Sequence, residues 1–141
     1  MSNKKVPSTP TRFYLNMKSM VNNVKDKIEN PIIKTMLEVG IETLEDRKDL
    51  LVDDFVSVSS PEIWKKILQK DEEYLIEFIS KMLDKFNIPV QKNMVSDIFS
   101  KDKELFWKYI HSFVRIAIHH LHEKGLRQIA EPLAKEWNIK L

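Results

Sequence analysis

The stretch between Ser100 and Gly125, KDKELFWKYIHSFVRIAIHHLHEK, constrains the fold more than any other part of the chain. Projected as a helix at about 100° per residue, Leu105, Phe106, Tyr109, Ile110, Phe113, Val114, Ile116, Ala117, Ile118 and Leu121 cover well over half of its circumference. A helix that apolar must be surrounded on most sides by other elements. The narrow face that remains carries Lys108, His111, Ser112, Arg115, His119 and His122. It has no acid at its middle, and it holds three of the protein's four histidines.

The other segments read as the surrounding elements. From Thr11 to Glu29 apolar residues recur at helical spacing, with Asn22 and Asn23 weakening the middle. Asn30 followed by Pro31 is a helix start, because Asn caps free amides and a first-turn proline gives up no bond. Between Pro31 and Val58 the residues Ile33, Met36, Leu37, Ile41, Leu44, Leu51, Val52, Phe55 and Val58 share a face centred on Gly40. A glycine there predicts close approach by another helix. One continuous helix would be about 40 Å long, and Arg47 and Lys48 intrude on its apolar side. A break near Glu45 to Asp49, with Asp46 or Asp49 capping a second helix, is the alternative.

Ser60 and Asp71 begin two further helices, the second running to Phe86. Residues 90–99 form another, and Gly125 ends the central one. In the tail Leu126, Ile129, Leu133 and Trp137 fall on one ridge, and Pro132 predicts a kink or restart. No segment alternates with period two long enough to be a strand, and no repeat is visible. The sequence thus predicts an all-α protein: an irregular or orthogonal bundle of six or seven helices around a central helix near 101–124. Residues 12–141 form its single domain, and residues 1–11, basic and broken by Pro7 and Pro10, form a flexible arm.

Composition narrows the function classes. There is no cysteine, which removes disulfides, thiolate metal sites and cysteine nucleophiles. Two glycines cannot build a phosphate-cradling loop, and no Gly-x-Ser-x-Gly elbow is present. The N-terminus lacks the apolar run of a secretory signal, and no apolar stretch is long enough to span a bilayer. A soluble cytoplasmic protein without a cofactor or small-molecule ligand is the expectation. The net charge of +2 does not by itself imply nucleic acid. Lysine outnumbers arginine 19 to 4, which disfavours base-specific readout of DNA.

Two charged stripes remain as candidate sites. Lys108, His111, Arg115, His119 and His122 form the first. His119, His122 and Glu123 have spacings that zinc can use, but Arg115 repels a cation and HExxH is absent, so no metal is expected. Contact with an anion or a nucleic acid, aided by Lys4, Lys5 and Arg12, suits the stripe better. Glu42, Asp46, Asp49 and Asp53 form the second, a surface for a basic partner or a face that pairs with the first stripe. His120 points to the apolar side and reads as a satisfied core histidine. Charge is polarised along the chain: residues 31–60 hold seven acids against three bases, and residues 91–141 hold nine bases against six acids. That pattern suits association with a partner or with a second copy.

Arg115 followed by His120 after four residues and His122 after six resembles the pattern of HEPN ribonucleases, small and usually dimeric helical bundles. The resemblance would make Arg115 and His122 an RNA-cleaving pair. It covers two residues, and Ile116 stands where that family typically has a polar residue. The leading expectation is a non-enzymatic protein–protein interaction module, a structural or assembly component, adaptor or regulator. Nucleic-acid binding is the alternative, with the HEPN-like ribonuclease behind it.

Overall fold

The computed structural model describes residues 8–69, 71–88 and 90–141. Eight α-helices make up these residues: α1 Thr9–Asp26, α2 Pro31–Glu45, α3 Leu51–Val58, α4 Pro61–Leu68, α5 Glu72–Lys85, α6 Lys92–Lys101, α7 Lys103–Glu123 and α8 Arg127–Glu136. No strand occurs among them. A one-turn 3₁₀ helix, Lys48–Leu50, precedes α3. The expected count of six or seven is exceeded because α2 and α3 are separate. The break falls where Arg47 and Lys48 would have entered the core, and Arg47 instead pairs with Asp54 at 3.0 Å.

Side chains hold four of the eight helix starts. Ser8 accepts from the amide of Thr11, Asn30 from those of Ile32 and Ile33, Ser60 from Ile63 and Asp71 from Tyr74. Neither Asp46 nor Asp49 caps α3, whose first turn begins at Leu50 with no side-chain cap; Asp46 closes α2 instead. Helix α1 begins at Thr9, so the expected arm ends earlier than residue 11; residues 1–7 lie outside the described part. Three helices stop in a left-handed residue, Asn87, Gly125 and Asn138. In each case the following amide bonds back over the turn, as Leu126 N does to Leu121 O at 3.0 Å.

Helix α7 is the axis of the bundle, packed against α1, α3, α6 and α8. Its wide apolar face is buried over Phe106, Tyr109, Ile110, Phe113, Val114, Ile116, Ala117, Ile118 and Leu121. Aromatic rings join the layers. Phe13 of α1 lies 4.9 Å from Phe113 of α7 and 5.2 Å from Phe55 of α3. Phe55 also meets Trp64 and Phe78, which ties α4 and α5 to the same cluster. The buried indole of Trp64 donates to Ser59 Oγ at 2.9 Å, so its polar atom is satisfied inside the core.

Two expected faces are rotated. In α8, Ala130, Leu133, Ala134 and Trp137 are buried while Leu126 and Ile129 are exposed. Small alanines let α8 lie close on α7, and the helix runs unbroken through Pro132, whose exposed position leaves the Gln128 carbonyl free to meet water. In α2, Leu37, Ile41 and Leu44 are buried, whereas Met36 is exposed beside Ile32 and Val39. Among the described residues no helix packs onto Gly40, and a Cβ placed there would meet only Ile88 Cγ1, at an ordinary 3.8 Å. No helix among the described residues is long and apolar enough to cross a membrane.

Candidate functional site

One edge of the seam between α1 and α7 is polar, beside the apolar contact of Phe13 with Phe113. Asn16 donates to the Tyr109 carbonyl at 3.2 Å, and Ser19 lies 2.9 Å from the Tyr109 hydroxyl, which Asn23 also contacts. These bonds fix the register of α1 on α7 and use the Tyr109 polar atoms that burial would otherwise strand. Beyond them the two helices diverge into an open groove of about 380 Å³ lined by Arg12, Leu15, Asn16, Ser19, Ser112, Arg115 and Ile116. Thr9 closes the outer end by donating to Glu123 Oε1 at 2.7 Å while it accepts from Arg12 at 3.2 Å.

The histidine stripe is thereby divided between two neighbours of α7. Ser112, Arg115 and His119 turn towards α1. Burial holds His119 below its ordinary value, and the positive charges of Arg12, Arg115 and His122 act in the same direction while Glu123 opposes them. Arg115 is exposed and has no ion pair or hydrogen bond among the described residues. Arg115 and His122 share this side of α7 but stand two turns of helix apart.

Lys108 and His111 face the other way. With Ile67 and Leu68 of α4, Trp107 of α7 and Trp137 after α8, they line a mainly apolar cleft of about 250 Å³. The His111 ring centre lies 5.1 Å from that of Trp137. Burial lowers the His111 pKa, with Arg115 adding to the effect, which favours a neutral imidazole. Lys108 is thus removed from the arginine groove, and Lys4 and Lys5 lie outside the described residues.

The acidic stripe does not survive the break between α2 and α3. Glu42, Asp46 and Asp49 stay exposed, without ion pairs to other described residues. Asp53 turns inward against α7, where its Oδ1 accepts from Lys124 Nζ at 2.7 Å and bonds His120 Nε2 at 2.8 Å. Those two bonds, Lys124 first, hold the Asp53 carboxyl below its usual range. His120 is buried and satisfied, as a core histidine should be. Among the described residues no three His, Asp or Glu side chains converge as a metal ion would need.

Three of the exposed large apolar side chains among the described residues lie together on α2. Ile32, Met36 and Val39 are 70%, 46% and 56% exposed and lie at spacings of four and three, on one ridge. A groove of about 340 Å³ runs beside it, lined by Thr35, Gly40, Thr43, Phe86 and Asn87. Glu38, Glu42 and Glu45 occupy the opposite flank of the ridge. This feature was hidden in the sequence, because α2 is apolar around so much of its circumference that periodicity alone does not say which arc is covered. The pairing of Arg12 with Arg115 was equally hidden, since those residues come together only through the packing of α1 on α7. Comparison with protein-family models, with curated proteins and with solved structures finds no match to this chain.

Proposed function

We propose that the protein is a helical protein–protein interaction module that docks a partner on the outer face of α2. The observation that carries this reading is the ridge of Ile32, Met36 and Val39, three large apolar side chains that the fold leaves in water. Exposing one such residue is ordinary. A run of three beside a ready groove is the kind of patch that marks an interaction site. The glutamates along one flank favour a partner that presents an apolar strip edged by lysine or arginine. Gly40 fits the same picture: its bare backbone borders the groove and is not needed for packing inside the chain.

A photo-crosslinking residue at Val39, compared with the same residue at Lys81 on the exposed side of α5, tests the assignment in the expressing cell. The reading predicts a discrete adduct from position 39, lost when Met36→Lys is added. Equal, diffuse labelling from both positions would count against α2 as the docking face.

A further inference from the structure

We infer that the groove between α1 and α7 binds a phosphoryl group, held by the guanidinium groups of Arg12 and Arg115. Half of the protein's four arginines line this one groove, although they are far apart in sequence and sit on different helices. Like charges brought together by a fold cost stability unless something answers them. Arg12 reaches an acid, Glu123, only through Thr9, which stands between them in a relay of hydrogen bonds among the described residues. Arg115 has no acidic partner among the described residues.

Apart from the Arg12 Nη2 bond to Thr9, the donors at this place lack protein acceptors among the described residues. Arg12 Nε is buried and has no hydrogen-bond partner among the described atoms, a state that buried polar groups seldom tolerate. Ser112 contributes to the same groove a hydroxyl with no side-chain hydrogen bond among the described residues. With one Arg12 Nη2 hydrogen given to Thr9, the remaining guanidinium hydrogens of Arg12 and Arg115 and the Ser112 hydroxyl still outnumber what the two oxygens of a carboxylate can readily accept. The tetrahedral oxygens of a phosphate can take them, and guanidinium groups match that geometry bidentately. The groove is open along one side, so the group it holds can be free or can be carried at the end of a larger molecule.

Backbone amide spectra of the full chain, recorded during titration with inorganic phosphate at low ionic strength, test the site. Saturable shifts are expected at Arg12, Leu15, Ser112, Arg115 and His119, and an equal ionic strength of chloride should not produce them. Arg115→Gln should weaken binding about tenfold, as loss of one charge-assisted fork does, with the fold unchanged because Arg115 is exposed and unpaired. Arg115→Lys should recover only part of the loss, since a point charge lacks the fork. Lys81→Gln should change nothing. A second pair of titrations, adenosine monophosphate against adenosine, decides whether a phosphate carried on a larger molecule is also accepted. Shifts that do not saturate, that chloride reproduces, or that persist in Arg115→Gln would overturn the assignment.

Discussion

Asp53 illustrates how a single side chain can be misplaced by a correct periodicity. On an unbroken helix it belongs with Glu42, Asp46 and Asp49, yet once α3 starts afresh it faces α7 and meets His120 and Lys124. His120 itself was legible as a core histidine, because its neighbours on the helix wheel are apolar; its acceptor, sixty-seven residues away, was not. Asp53→Ala strands the buried His120 nitrogen, and it should cost about 1–2 kcal/mol in urea unfolding at neutral pH. Lys124→Ala, which removes an exposed partner, should cost well under about 1 kcal/mol. The carboxyl is held below its ordinary 3.8, so its stabilisation is present above that value and is lost as pH falls beneath it. The native-to-Asp53→Ala difference in stability should therefore shrink in acid. A gap independent of pH would show that the carboxylate charge plays no part.

At the scale of elements, α7 was readable from one face of its sequence and α2 was not. The apolar arc of α7 is so wide that burial follows whichever way the helix is turned. In α2 the buried arc of Leu37, Ile41 and Leu44 and the open arc of Ile32, Met36 and Val39 are chemically alike, and only packing against α1 distinguishes them. Leu37→Ala should destabilise by about 2–5 kcal/mol through the cavity it leaves. Val39→Asp should stay within about 0.5 kcal/mol of the native protein, as surface changes do. Equal losses in thermal melts would mean that Val39 is covered within the chain. The histidines of α7 give that helix a second signature. His111 and His119 are both held below their ordinary 6.5, mainly by burial. Above that value neither state binds the proton, and below it the unfolded chain binds first, so stability should fall as the solution is acidified from pH 6.5. His111→Gln should flatten that slope in unfolding curves between about pH 7 and pH 5.5.

Taken whole, the molecule is a bundle strung on α7, with an aromatic cluster at Phe13, Phe55 and Phe113 and polar business kept to its seams. Its fold class was legible because caps, apolar periods and the absence of alternating segments agree with one another. Its sites were only half legible: the stripe on α7 is there, but α1 and α8 divide it, and neither Arg12 nor Trp137 announces itself as a neighbour of His119 or His111. Among the described residues the polarised charge is neutralised within the fold at Asp53, and on α2 Lys25 takes Glu38, which leaves Glu42 and Glu45 to a partner. The central claim is that α2 carries the working surface of the protein. Light scattering on the freshly purified full chain, native beside Val39→Asp, tests it most directly. The native chain should elute above the mass of one chain, with a second copy or a stoichiometric partner, and Val39→Asp should elute as a folded monomer; a native protein that is itself a bare monomer at every concentration would contradict the claim.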